Sequence, residues 1–224
     1  MKIPLLIINF KAYRESMGRN AILISKIAEK VSNETGITIA VAPSSVDLVK
    51  VKENVSIPVL AQHVDPLPIG AFTGSINIEN IKDWGIDGII INHSEKQLKI
   101  SEIDYLIKES KSNGLESVVC TNNIDVTKAV AELSPNYIAI EPPELIGGDI
   151  SVSKAKPEVV QNSVKIVEKI NREIKVLCGA GIKNRDDVKK AIELGSKGIL
   201  VASGVIKAKE VELAILDLLR GMGE

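Results

Sequence analysis

The stretch from Gly88 to Glu95 reads Gly-Ile-Ile-Ile-Asn-His-Ser-Glu, and its two halves differ sharply in chemistry. Three consecutive β-branched residues favour a strand. Because they do not alternate with polar residues, we expect this strand to be covered on both faces, as strands of parallel sheets are. The polar half that follows is therefore predicted to lie at the carboxyl end of a buried parallel strand.

Seven other short apolar runs occur along the chain, and each alternates with a segment of helical periodicity. The eight predicted strands are Leu5 to Asn9, Thr38 to Ala42, Pro58 to Gln62, Gly88 to Asn92, Ser117 to Cys120, Tyr137 to Glu141, Lys175 to Cys178 and Gly198 to Ala202. Apolar residues at three- and four-residue spacings predict core-facing helices over Ala21 to Val31, Val126 to Leu133, Glu158 to Ile170 and Asp186 to Leu194. Such alternation predicts consecutive βα units on a parallel sheet. Eight units in this length favour an α/β protein with a closed (β/α)8 barrel, as a single domain over residues 1–224.

The charge balance argues against polyanionic partners. The chain has 28 basic and 29 acidic residues, with a formal net charge of -1. Without a strong positive field, we expect no nucleic-acid partner and no anionic membrane surface. The apolar run near the N-terminus is too short for a signal peptide, and no run approaches the length of a membrane span. We therefore expect a soluble, cytoplasmic protein.

Metal-ligating residues are few and scattered. Cys120 and Cys178 lack the spacing of a metal site, and each follows an apolar run, as a small buried hydrophobe would. His63 and His93 are the only histidines, and no H-E-x-x-H motif occurs. The sequence predicts no metal site and no cofactor.

Polar side chains follow several predicted strands at the end where barrel enzymes build their active sites. Asn9 and Lys11 follow the first strand, His93 follows the fourth, and Glu141 ends the sixth. A carboxylate or imidazole beside a buried strand requires a partner or a function. A structural ion pair remains the alternative for Glu141, and a solvated charge the alternative for Lys11.

Small residues follow the last two strands, as Gly179-Ala180-Gly181 and Ala202-Ser203-Gly204. Such turns can be ordinary tight connections, or their backbone N–H groups can bind an anion. Their position on the last two strands of an eightfold barrel matches a phosphate site that many barrels share. The predicted ligand is a phosphorylated small molecule.

Together these motifs resemble one family, triosephosphate isomerase. The matching residues are Asn9-Phe10-Lys11, His93-Ser94-Glu95 and Glu141-Pro142, and the tip of the family's third loop resembles Gly70 to Gly74. The short chain is similar to the archaeal-type subfamily. The resemblance implies a TIM barrel that interconverts D-glyceraldehyde 3-phosphate and dihydroxyacetone phosphate through an enediolate, in glycolysis and gluconeogenesis.

The resemblance also implies a role for each matching residue. Glu141 would act as the base, His93 as the electrophile, and Lys11 as a fixed positive charge with Glu95 as its partner. The substrate-binding residues implied are Asn9, Lys11, Ile146, Gly181, Ala202 and Ser203. His93 is expected at a helix N-terminus, which would disfavour its charged form.

Two further expectations follow from the resemblance. Pro142 to Asp149 would form a lid over the substrate, although its sequence departs from that of the longer members of the family. The loop from Gln62 to Gly74 would lie in a subunit contact of a homo-oligomer, either a dimer or a tetramer. Two alternatives remain open: a barrel that acts on a larger sugar phosphate, and a barrel that binds a sugar phosphate without turning it over.

Overall fold

Eight parallel strands form one sheet in the computed structural model, which describes residues 1–142, 145 and 151–223. The strands are β1 (Leu5–Asn9), β2 (Thr38–Ala42), β3 (Leu60–Ala61), β4 (Gly88–Ile91), β5 (Glu116–Thr121), β6 (Tyr137–Ile140), β7 (Lys175–Cys178) and β8 (Gly198–Val201). Their order is β2-β1-β8-β7-β6-β5-β4-β3, and a parallel bridge between Val41 and Val59 joins the two outer strands. The predicted (β/α)8 barrel is confirmed.

Helices follow the strands along the described chain. They are α1 (Arg19–Thr35), α2 (Leu48–Lys52), α3 (Ile78–Asp83), α4 (Ile100–Ser112), α5 (Ile124–Glu132), α6 (Val152–Ala155), α7 (Pro157–Ile170), α8 (Arg185–Glu193), α9 (Ser203–Ile206) and α10 (Val211–Arg220). The four helices predicted from periodicity are present, with ends shifted by up to four residues. Among the residues described, no helix has the length and apolar character needed to cross a membrane.

The core has two layers because successive side chains of a strand point to opposite faces. On β1, Leu5 and Ile7 belong to the cluster that fills the barrel interior, whereas Leu6 and Ile8 belong to the cluster beneath the helices. All five residues of β1 are buried. The continuous apolar runs of the sequence therefore reflect strands covered on both faces.

Two glycines allow the strands to pack closely where β4 and β8 begin. A Cβ atom on Gly198 would lie 2.1 Å from the carbonyl oxygen of Leu5. A Cβ atom on Gly88 would lie 2.4 Å from the carbonyl oxygen of Glu116. The obstacle in each case is the backbone of the neighbouring strand, which cannot move without disturbing the pairing.

We predict that Gly198→Ala destabilises the barrel by about 1 to 3 kcal/mol, the usual cost of forcing atoms into a well-packed core. Urea unfolding at a fixed protein concentration would measure the change. Gly36→Ala is the comparison: no atom lies within 4 Å of a Cβ added at Gly36, so any loss of stability there comes from its positive φ of 70° and not from overlap with a neighbouring strand. Equal stability of Gly198→Ala and the parent protein would contradict the prediction.

Candidate active site

The turn after β1 holds Asn9 and Lys11 in one compact unit. The Lys11 N–H donates a hydrogen bond to Asn9 Oδ1 at 2.9 Å, and Lys11 adopts a left-handed backbone conformation with φ of 50°. The Lys11 ammonium then donates to Glu95 Oε1 at 2.9 Å. The expected pairing of Lys11 with Glu95 is confirmed, and it joins the loop after β1 to the loop after β4.

Gln62 supports the same turn from β3, a contact that the sequence analysis did not foresee. Its side-chain amide donates to the carbonyl oxygens of Lys11 at 3.0 Å and Ala42 at 2.9 Å. The amide thus links the ends of β1, β2 and β3. The only sequence feature that could have indicated this role for Gln62 is its position as a polar residue directly after a short apolar run.

His93 follows β4 and is only 6% exposed. Its Nδ1 accepts a hydrogen bond from the Glu95 N–H at 3.1 Å, so in the neutral ring the proton lies on Nε2. The expectation of a helix N-terminus at His93 was wrong. His93 begins a turn, in which the Lys96 N–H donates to the His93 carbonyl oxygen, and α4 begins only at Ile100. Within the described part of the chain, no helix N-terminus therefore acts on the charge of His93, and the Glu95 N–H fixes the tautomer of its neutral ring.

Asn92 fixes the start of this turn. It has a positive φ of 59°, its side-chain amide donates to the Cys120 carbonyl oxygen at 3.0 Å, and its Oδ1 accepts from the Leu98 N–H at 2.9 Å. These contacts hold both ends of the loop that carries His93. The sequence analysis treated Asn92 only as the end of a strand.

Glu141 lies directly opposite His93. Its side chain is 7% exposed, and its Oε2 is 3.6 Å from His93 Nε2, too far for a hydrogen bond. Both atoms are buried and have no hydrogen-bond partner among the described residues. Leaving buried polar atoms without partners costs free energy, so such a pair calls for an explanation.

Cys120 and Gly179 lie beside the Glu141 side chain. The Cys120 thiol is buried, and burial together with the negative Glu141 carboxylate raises its pKa, so the thiol remains protonated. On the other side, a Cβ at Gly179 would lie 2.4 Å from Glu141 Cγ. The carboxylate therefore occupies space that only glycine leaves open.

The turns after β7 and β8 line the same cleft as the catalytic candidates. Ala180 and Gly181 have positive φ values of 59° and 72°, and α9 begins at Ser203 directly after Ala202. The cleft is lined by Asn9, Lys11, Tyr13, His93, Glu141, Ala180, Gly181, Ile182, Lys183, Leu200, Val201, Ala202 and Ser203. All but one of the residues predicted for the site meet here; Ile146 and most of the expected lid lie outside the described residues.

His63 does not line this cleft. Its Nε2 lies 3.3 Å from Asp65 Oδ1, in the loop after β3. Burial acts to raise the pKa of the Asp65 carboxyl, but the Ile76 N–H and His63 outweigh it and hold that pKa below its usual value. This contact braces the loop.

Comparison with known proteins agrees with this geometry. Residues 4–220 match the family model described as triosephosphate isomerase. The chain is 57% identical over 216 residues to the triosephosphate isomerase of Methanocaldococcus jannaschii, covering 96% of this chain and 99% of that protein. It is 50% identical to the enzyme of Methanothermus fervidus over 99% of this chain and 100% of the relative, and 48% identical to that of Archaeoglobus fulgidus over 97% of each. The chain belongs to the triosephosphate isomerase family.

Proposed function

We propose that this chain interconverts D-glyceraldehyde 3-phosphate and dihydroxyacetone phosphate; the relatives that it resembles are named triosephosphate isomerase. The observation that carries the proposal is the buried pair of Glu141 Oε2 and His93 Nε2, neither with a partner among the described residues. A substrate between them would give the carboxylate a proton to accept and the imidazole an oxygen to which it can donate. We assign the reaction to glycolysis and gluconeogenesis in the cytoplasm.

In this mechanism Glu141 removes the proton from the carbon beside the substrate carbonyl. The electron pair of the broken C–H bond forms a C=C bond, and the π pair of the carbonyl moves to its oxygen, which gives an enediolate. A proton then moves from the neighbouring hydroxyl to this oxygen, and Glu141 returns its proton to the former carbonyl carbon, so that one base serves both directions. A placed base of this kind typically contributes about 10²- to 10⁴-fold to the rate.

His93 and Lys11 would stabilise the negative charge on the enediolate oxygen. The neutral His93 ring presents Nε2–H to the cleft, because Nδ1 is occupied by the Glu95 N–H. The Lys11 side chain is largely buried and is held beside the loop of His93 by its contact with Glu95. Donors fixed before the reaction need no reorganisation when charge develops, which is why they can contribute about 10²- to 10³-fold each.

The phosphate group would bind to the turns at the other end of the cleft. Backbone N–H groups of Gly181, Ala202 and Ser203 are the proposed donors, with Asn9 positioning the substrate. Backbone amides in turns and at the start of a helix suit an anion. Ile146 remains a predicted fourth donor, outside the described residues.

We predict that Glu141→Gln retains the fold but lowers kcat by at least about 10³-fold, because an amide of the same size cannot accept the proton. Isomerase activity with glyceraldehyde 3-phosphate would measure the effect. Glu132→Gln is the control, since Glu132 ends α5 and is exposed. A loss of less than about tenfold in Glu141→Gln would rule out Glu141 as the base.

Gly179→Ala tests whether the position of the carboxylate matters as much as its presence. The new methyl group would overlap Glu141 Cγ and force the carboxylate to move. A displacement of about 1 Å can reduce the rate about 10²-fold, so we expect a loss of that size in kcat with circular dichroism like that of the parent. An unchanged kcat would show that Glu141 does not need this exact placement.

We also propose that the chain forms a homo-oligomer, either a dimer or a tetramer, through the loop from Gln62 to Gly74. In this loop Ile69 is 64% exposed and Phe72 is 42% exposed. The loops after β1 and β2 expose two further apolar side chains, Met17 and Val46. Apolar side chains on neighbouring loops of the same barrel end would be covered by a second copy of the chain.

Phe72→Asp tests this assembly, because an acidic side chain in an apolar contact would carry a large desolvation cost. We expect the sedimentation mass to fall towards that of the monomer. Trp84→Asp is the control, since Trp84 is a similarly exposed aromatic residue, 53% exposed, that caps α3 outside this loop. The proposal fails if Phe72→Asp sediments with the same mass as the parent.

A further inference from the structure

Asp187 is a buried carboxylate that the proposed mechanism does not use. It lies in the first turn of α8, and its side chain is 6% exposed. Its neighbour Asp186, in the same turn, is 73% exposed. Charged side chains are rarely buried this far unless their partners compensate for the lost water.

Within residues 1–142, 145 and 151–223, the carboxylate of Asp187 has three donors from two different segments. Oδ1 accepts from the Ser151 hydroxyl at 3.0 Å and pairs with the Lys154 ammonium at 2.7 Å. Oδ2 accepts from the Lys183 N–H at 3.0 Å. Burial acts to raise the pKa of the Asp187 carboxyl, but these donors outweigh it and hold the pKa below its usual value.

These contacts join the segment at α6 to the turn after β7. The Ser153 hydroxyl donates to the Asp187 carbonyl oxygen at 3.0 Å, and the Val152 N–H donates to the Ala180 carbonyl oxygen at 3.2 Å. The turn from Ala180 to Lys183 is therefore held at its first residue by α6 and at its last residue by Asp187. Nothing in the sequence analysis assigned a role to this aspartate.

The turn needs such support because its backbone is strained. Ala180 has a φ of 59°, a backbone region that is unfavourable for a residue with a side chain. Such a conformation persists only where the surrounding contacts determine it. The two ends fixed by α6 and Asp187 enclose Gly181, one of the residues assigned above to the phosphate.

We propose that Asp187 is a positioning residue that holds the Ala180-to-Lys183 turn in the shape that binds the substrate phosphate. The inference rests on the proposed function, because it takes this turn as part of the phosphate site. A carboxylate is required since both of its oxygens accept hydrogen bonds. An asparagine would turn an NH2 group towards Lys183 N–H or towards Lys154 and Ser151, and so would break one side of the connection.

The test compares Asp187→Asn with Asp186→Asn, which removes the same charge from the same turn of α8. Three quantities are measured: KM for glyceraldehyde 3-phosphate, the inhibition constant of inorganic phosphate, and kcat/KM for unphosphorylated glyceraldehyde. The last substrate reports the chemistry of Glu141 and His93 without the phosphate contacts. We expect Asp187→Asn to raise KM for glyceraldehyde 3-phosphate and the inhibition constant of inorganic phosphate at least about fivefold. The value of kcat/KM for unphosphorylated glyceraldehyde should stay within about twofold of the parent. Asp186→Asn should leave all three within about twofold.

Two results would overturn the inference. One is an unchanged inhibition constant for phosphate in Asp187→Asn; the other is an equal loss of kcat/KM for both substrates, which would indicate general damage to the barrel. If Asp187→Asn does not fold, Ser151→Ala removes one donor and leaves the carboxylate in place. It should weaken phosphate inhibition at least about twofold, and no change would count against the inference.

The proposed function fails separately, if the parent protein does not isomerise glyceraldehyde 3-phosphate. Weaker binding of inorganic phosphate to Asp187→Asn would still be measurable in that case, by calorimetry. Failure of the inference alone would appear as full isomerase activity in the parent with no selective loss in Asp187→Asn.

Discussion

Parallel pairing around a closed ring of strands is the constraint on which the rest of the molecule depends. β1 pairs with both β2 and β8, and the bridge between Val41 and Val59 closes the remaining seam. Because all eight strands run in the same direction, their carboxyl ends meet on one rim. Asn9, His93 and Glu141 are far apart in the sequence, yet each follows or ends a strand at this rim and lines one cleft.

Much of this arrangement could be predicted because it follows from local patterns. The β-branched runs predicted the strands close to their observed bounds. The polar residues at the strand ends predicted most of the residues that line the cleft. The weakest strand was β3, predicted over Pro58 to Gln62 but paired only at Leu60–Ala61. The Gln62 side chain adds to this short pairing by donating hydrogen bonds to the carbonyl oxygens of Lys11 and Ala42. Sequence periodicity does not reveal such contacts between distant segments.

The remaining features depend on backbone geometry that residue patterns do not reveal. The position of Glu141 requires the space that Gly179, distant in the sequence, leaves open, and the tautomer of His93 is set by the N–H of Glu95, two residues further on. The expected helix N-terminus at His93 was wrong because the residues after β4 first form a turn, closed by the Lys96 N–H on the His93 carbonyl oxygen, and α4 begins only at Ile100. The sequence does not distinguish Asp187 from its neighbour Asp186, whereas the structure buries the first side chain and exposes the second.

The two loops that carry the central charges use the same local device. In each, a side chain accepts the N–H of the residue two positions further on, from Lys11 to Asn9 and from Glu95 to His93. In each, a non-glycine residue has a positive φ, Lys11 in one and Asn92 in the other. One turn contains Lys11 and the other contains Glu95, so the ion pair between these two side chains also joins the two turns. Because Glu95 is largely exposed, the charge contact itself adds little stability. Its effect is geometric: it connects the Lys11 ammonium to the loop that carries His93. In the proposed mechanism, both groups would then be in place before negative charge develops on a substrate oxygen.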